Sequence, residues 1–194
     1  METDAGAVCG VLVLSGPPCS GKSTVGRVLA AGASSSRPRR LHIEVDSLFD
    51  LLLPRSDRNR DDRMLAYDSA HLLARMFLER GTTAVLECTY ARIEQRLSLV
   101  DALAGVPAAP LWVVECFVSP EEAVRRFRRR SDATDLDESL LRERVQGFRY
   151  SEQALRLISS RSTPEALAEQ VTSWMHPSTA VQRRVWAESG RGWS

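Results

Sequence analysis

Apolar and polar positions fall in blocks along this chain. Val8 to Ser15 is a continuous apolar run, the pattern of a strand buried on both faces of a sheet. Leu41 to Val45, Thr83 to Cys88 and Leu111 to Val118 repeat it, and Leu155 to Ser159 is a weaker fifth run. Between them the apolar period becomes helical: Lys22 to Ala31, about 61–80, Arg92 to Leu103, Glu121 to Arg130, Asp137 to about Leu155, and a last helix opened by Thr163-Pro164-Glu165 and running to about Met175. In the second of these, Leu65, Leu72, Leu73 and Met76 form one stripe, and Gly81 stops the helix. Ser119 caps the fourth, with Pro120 in its first turn. After His176-Pro177 the period is lost, so residues 177–194 are expected to form a loosely packed tail. Two exposed tryptophans there would be unusual, which argues for some docking of Trp186 and Trp193.

Alternation of strand and helix predicts an α/β fold of three layers: a parallel five-stranded sheet with helices on both faces. One domain over about 1–176, followed by the tail, suits the 194 residues. Hydrophobic residues at 43% and charged residues at 26% exclude collagen-like, wholly disordered and disulfide-scaffold classes. No apolar run approaches the roughly 20 residues of a membrane helix. Glu2 and Asp4 stand where a basic leader would begin. A cytoplasmic protein with no membrane partner is expected, acting as a monomer or homodimer. The four cysteines show neither C-x-x-C nor Cys/His zinc spacing.

Gly16-Pro17-Pro18-Cys19-Ser20-Gly21-Lys22-Ser23 matches G-x-x-x-x-G-K-[ST] in full. By residue frequency such a match arises by chance in about one protein in a hundred, and here an apolar strand precedes it and a helical pattern follows. Gly16 and Gly21 allow a turn tight enough for backbone N–H groups to converge on a β-phosphate, at a helix N-terminus that favours anions. Lys22 would bridge the β- and γ-phosphates, Ser23 would offer a hydroxyl to Mg²⁺, and Thr24 is placed for the α-phosphate. Lys22 is the only lysine among 26 basic residues, the rest being arginine. It stands where a compact ammonium is needed rather than a planar fork. ATP and Mg²⁺ are therefore the expected ligands. A GTPase is disfavoured because an Asn/Thr-Lys-x-Asp base-reading motif requires a second lysine.

Ligands of open α/β sheets bind beyond the carboxyl ends of the strands. Asp46 follows the second strand, Glu87-Cys88-Thr89-Tyr90 the third and Ser119 the fourth. Asp46 would face the transferred phosphoryl group as a base, or else cap a helix over Ser47 to Leu52. Arg125-Arg126-Phe127-Arg128-Arg129-Arg130 puts Arg126 and Arg130 on one helical face before a polar break at Ser131 to Asp135. That reads as a hinged lid over the γ-phosphate, a nucleic-acid patch or a solvated face. The segment after Asp46, with Phe49, Leu52, Leu53, Arg55, Arg58, Arg63 and Tyr67, should form the acceptor pocket, although the helical spacing of Phe49 and Leu52 suits a core better than a pocket wall. The stretch Ser56 to Asp62 mixes arginines with Asp57, Asp61 and Asp62, which is either a solvated loop or a surface for a polar acceptor. Tyr90 and Arg92 are further acceptor candidates, and His42, His71 and His176 read as structural or surface residues.

With these segments in view, the sequence over about residues 8–175 resembles the small P-loop kinases that phosphorylate hydroxyls. These include chloramphenicol phosphotransferase, the 5′-kinase domain of phage polynucleotide kinase, adenylylsulfate kinase and the zeta-toxin-like sugar-nucleotide kinases. Val45-Asp46-Ser47-Leu48 followed by Leu53-Pro54 looks most like chloramphenicol phosphotransferase, which implies that Asp46 is the base. The lid pattern of two arginines four apart maps to Arg126 and Arg130. In the polynucleotide-kinase pattern Asp-Thr-Asn follows the third strand, whereas this chain has Cys88-Thr89-Tyr90, with Glu87 one residue earlier as the nearest carboxylate. The resemblance implies a three-layer P-loop kinase fold and transfer of the ATP γ-phosphate to a hydroxyl of a small molecule: an antibiotic or natural product, a sugar or a nucleotide-like acceptor. A polynucleotide 5′-kinase or adenylylsulfate kinase is the second expectation, with nucleic acid as partner, and a nucleotide-dependent switch is the third.

Overall fold

The five apolar runs form strands β1 (Val11–Ser15), β2 (Arg40–Glu44), β3 (Thr83–Glu87), β4 (Leu111–Phe117) and β5 (Leu155–Ile158). The computed structural model describes residues 8–32, 39–130 and 136–189. The expected break at Ser131 to Asp135 and Trp193 lie outside them. The strands form one sheet in the order β2-β3-β1-β4-β5, with every neighbouring pair parallel. Residues of β1 and β3 are buried throughout because both faces are covered. Alternate residues of β1 enter opposite cores, Val11 and Val13 on one face, Leu12 and Leu14 on the other.

The first core is covered by α2 (Val45–Leu52), α3 (Arg60–Leu78), α4 (Ile93–Ala102) and α8 (Arg183–Ser189), the second by α1 (Lys22–Ala31) and α7 (Pro164–Trp174). A smaller cluster joins α5 (Pro120–Phe127) to α6 (Glu138–Gln146) through Val124, Leu141 and Val145.

Four expectations are corrected. In α3 the stripe of Leu65, Leu72 and Met76 faces outward. The buried side is Ala66, Tyr67, Ala70, His71, Ala74 and Leu78, because alanines four apart let the helix lie close on the sheet. The fifth helical segment stops at Gln146 instead of reaching Leu155; Phe148 is then buried and packs edge-on against Tyr150, whose ring also meets Phe117, while the chain returns to the sheet. Helix α2 begins at Val45 with Glu44 at its N-cap, so Asp46 sits inside the first turn and is not the cap.

The fourth correction concerns the tail. Residues 183–189 form α8, and Trp186 is fully buried among Tyr90 and the α4 side chains. The guanidinium of Arg96 lies 5.1 Å from the Trp186 ring and donates to the Trp186 carbonyl at 3.2 Å and to Ser189 Oγ at 3.1 Å. Arg96 also reaches Glu115 on β4 at 3.9 Å, with both side chains 1% exposed. Burial outweighs the attraction across that gap: it pushes the Glu115 carboxyl up to about 7 and lowers the affinity of Arg96 for its proton. No helix among the described residues is long and apolar enough to cross a membrane.

Candidate active site

The phosphate loop joins the end of β1 to α1. Gly16 has φ +141°, and a Cβ there would stand 2.6 Å from the Cys116 carbonyl oxygen. Gly21, at the N-cap of α1, has φ +94°. These are positions that L side chains rarely adopt. Lys22 Nζ donates to the carbonyls of Gly16 and Pro17, both at 2.9 Å, so the ammonium rests on the rim of its own loop. Pro18 through Thr24 line a cavity of about 520 Å³ together with Asp46, Glu87, Arg126 and Arg130.

Glu87 at the end of β3 does point into this cavity. Its Oε1 accepts from Ser23 Oγ at 2.6 Å and its Oε2 lies 3.0 Å from His42 Nε2. Burial alone would raise its pKa, but the hydrogen bonds from His42 and Ser23 and the charge of Lys22 outweigh it and hold the carboxyl below its ordinary range. His42 therefore has carboxylate company that its sequence neighbours do not suggest: ligand atoms of His42, Glu44 and Glu87 lie within 4.8 Å of one another. Gly26 makes this possible, since a Cβ there would stand 2.5 Å from His42 Nε2. A serine hydroxyl beside an anionic carboxylate is a hard-oxygen donor set, which fits Mg²⁺.

Arg126 is tied to the loop from the other side. Its Nη1 donates to the Cys19 carbonyl at 3.1 Å and to Ser159 Oγ at 2.9 Å, and its Nε donates to Glu122 Oε1 at 2.7 Å. Ser159, just past β5, donates in turn to the Ser20 carbonyl at 2.7 Å. The strand-end rule would have flagged this serine. Helix α5 closes at Phe127, three residues early, but tightened turns at Arg129 and Arg130 carry Arg130 to the cavity wall, 4.0 Å from Cys19 Sγ.

A second cavity of about 300 Å³ opens beside the first, and Asp46, Arg58, Arg63, Thr89 and Arg144 line both. Burial raises the pKa of Asp46, and the nearby charges of Lys22, Arg58 and Arg63 only partly offset this. Phe49, Tyr67 and Arg92 line the second cavity as well; Phe49 serves both as core and as wall, under the guanidinium of Arg58 at 4.9 Å. Arg55, Leu52 and Leu53 do not reach either cavity, and Arg55 is exposed. Tyr90 is fully buried, its hydroxyl 2.9 Å from His71 Nε2, so it belongs to the core beneath the site. Arg144 comes from α6 and carried no signal in the sequence.

The AAA domain family AAA_33 matches residues 11–155, across the phosphate loop, Asp46, Glu87 and the arginine segment. The chain belongs to this family of P-loop NTPases. No curated protein matches its sequence. Its fold is that of P-loop kinases. A sugar kinase from Janibacter sp. HTCC2649 is 17% identical with a TM-score of 0.62, over 90% of this chain and 99% of that one. The Mycobacterium tuberculosis APS kinase CysC, solved with AMPPNP and APS, is 16% identical with a TM-score of 0.67, over 87% and 98%. A gluconokinase from Sinorhizobium meliloti 1021 is 20% identical with a TM-score of 0.55, over 88% and 100%. At such identities these likenesses establish the fold.

Proposed function

We propose that this protein transfers the γ-phosphate of ATP to a hydroxyl of a small molecule. The observation that carries the reading is the position of Asp46. Its carboxyl stands in the wall shared by the phosphate-loop cavity and the second cavity, and among the described residues it is the only carboxylate lining both. A hydroxyl bound in the second cavity would meet the γ-phosphoryl group beside a carboxylate whose pKa burial has raised, as a base needs. The neighbouring kinase solved with a nucleotide analogue and APS supports a two-ligand crevice on this fold.

In the transfer, a bond forms between the acceptor oxygen and the γ-phosphorus while the bond to the β–γ bridging oxygen breaks. The acceptor proton passes to Asp46 and ADP leaves. The backbone amides of the loop and Lys22 hold the β- and γ-phosphates. Arg126 and Arg130 face the same cavity and offset negative charge on the transferred group. Ser23 and Glu87 would hold Mg²⁺, which when bound supplies neutralising charge between the phosphates. Thr24 is exposed at the start of α1, where an α-phosphate would lie.

The test is a transfer screen with Mg-ATP and pools of hydroxylated metabolites, antibiotics, nucleosides and 5′-hydroxyl oligonucleotides, read by mass for one added phosphate. Asp46→Asn is expected to keep ATP affinity within about three-fold and to cut transfer roughly 10²-fold or more. Phosphorylation confined to oligonucleotides would replace the small-molecule reading with a polynucleotide kinase. Full transfer by Asp46→Asn would remove Asp46 as base. Tight nucleotide binding with no transfer to any pool would favour a switch.

A further inference from the structure

Glu87 is held at both carboxylate oxygens, and the two holds come from different layers of the fold. Ser23 Oγ, at the start of α1, donates to Oε1 at 2.6 Å, and His42, on the neighbouring strand, meets Oε2 at 3.0 Å. An ionised carboxylate only accepts, so His42 Nε2 carries the proton of that bond. The two side chains are 13% and 7% exposed, which leaves little water to compete for the contact.

Parallel pairing brings them together. His42 stands opposite Val85 and Glu44 opposite Glu87, and the period of two turns all four side chains to the face that α1 covers. Glu87 therefore has a second carboxylate as its cross-strand neighbour. Glu44 is tied off by Ser47 Oγ at 2.7 Å and by Arg27 at 3.3 Å. The imidazole fits under α1 because the helix has no side chain at Gly26: a Cβ there would lie 2.5 Å from Nε2 and 3.0 Å from Cε1. Gly26 is buried in the helix interior, where glycine weakens a helix, and the room it leaves is taken by His42.

Ser23 and Glu87 are the residues that fit Mg²⁺. With Ser23 Oγ and Glu87 Oε1 turned to a cation, the bond from His42 is the described hydrogen bond that still fixes the carboxylate. His42 itself lines neither cavity. We propose that His42 is the positioning residue of the cation site: it aims Glu87, and Gly26 is the space in α1 that lets it do so. The inference rests on the Mg²⁺ role of Glu87 in the proposed reaction and is independent of the acceptor.

The probe is Mn²⁺, which shares the oxygen-ligand preference of Mg²⁺. Its binding to the protein–AMPPNP complex is read by electron paramagnetic resonance, without turnover. His42→Leu is expected to weaken Mn²⁺ binding about 10-fold, the scale of a lost partner behind a metal ligand. AMPPNP affinity measured with EDTA should stay within about two-fold. Gly26→Ala, acting from the helix side, should reproduce the loss of Mn²⁺ affinity. His42→Gln, whose amide can still donate to Oε2, should restore that affinity to within about three-fold of the unaltered protein. Leucine and glutamine are close in size, so a difference between them reads the hydrogen bond and not the filling of space. Undiminished Mn²⁺ affinity in His42→Leu overturns the inference, and so does a glutamine variant that recovers nothing. Equal weakening of AMPPNP in EDTA makes His42 a support of the loop and overturns it too. Where His42→Leu does not fold, Gly26→Ala decides by the same measure. Glu87→Gln separates the two levels: if it leaves Mn²⁺ binding unchanged, the cation role of Glu87 falls as well. If it weakens Mn²⁺ binding while His42→Leu does not, the inference about His42 alone falls.

Discussion

The two halves of the crevice are built by different means. On the nucleotide side, eight consecutive residues supply most of the site, and much of the binding chemistry belongs to backbone amides whose geometry two left-handed glycines secure. On the acceptor side, the wall is made of side chains from α2, the turn before α3, α3 itself, the end of β3, the start of α4 and α6. The first kind of site tolerates change around it as long as its short motif stands. The second depends on the docking of every element beneath it. Arg96 illustrates this: its Nε donates to the Tyr90 carbonyl at 2.7 Å just past β3, so a buried pair with Glu115 buttresses the acceptor wall.

The contrast can be broken experimentally. The largest effect is expected from Lys22→Ala, which should lower transfer about 10³-fold by removing the one ammonium on the phosphates; near-normal turnover would refute the nucleotide half as drawn. Arg126→Ala should follow at about 10²-fold in kcat, with weaker ATP binding as well, because the same side chain holds the Cys19 carbonyl and Ser159.

A third effect is a displacement along the pH axis. Asp46 must be ionised to act as base, so kcat/KM should fall as pH drops through its raised pKa, with the acid limb above the usual 3.8. Arg63→Gln removes a charge that favours the carboxylate and should move that limb higher still. An unmoved limb would detach Asp46 from the rate.

Stability carries the fourth. The folded chain holds the Glu115 proton up to about pH 7, whereas an unfolded chain loses it near the usual 4.5. Stability contributed by this group therefore falls as pH rises between those values. Glu115→Gln, neutral throughout, should flatten that slope in denaturant melts recorded across the range; an unchanged slope would assign it elsewhere. The smallest effects belong to residues the fold leaves outside the cavities. Tyr90→Phe should cost about 1 kcal/mol through the lost hydrogen bond to His71. Arg55→Ala should change neither stability nor transfer beyond about two-fold. A larger loss of transfer in either would redraw the acceptor wall.

Several of the differences between expectation and structure share one cause. The leucine stripe of α3 satisfies helical spacing, yet the sheet is covered by its alanines, because close approach of helix and sheet outweighs side-chain size. Residues 177–189 lack a period, yet one tryptophan finds a buried slot against Arg96 and Tyr90. His42 looked isolated because its partner Glu87 lies one strand away in the sheet. Each outcome turns on a neighbour more than thirty residues distant, or on how tightly two elements pack.

The sequence by itself determined the alternating strands and helices, the phosphate loop with its lone lysine and the place of Asp46 just past the second strand. All are local: they follow from the spacing of residues within a few turns or strands. Tertiary structure decided that Glu87 meets Ser23, that Ser159 and Arg144 join the crevice, and that Arg58 and Arg63 line it while Asp57 and Asp62 are spent on the turn before α3. Those outcomes depend on which side of a backbone faces which neighbour, and only the packed sheet order β2-β3-β1-β4-β5 fixes that.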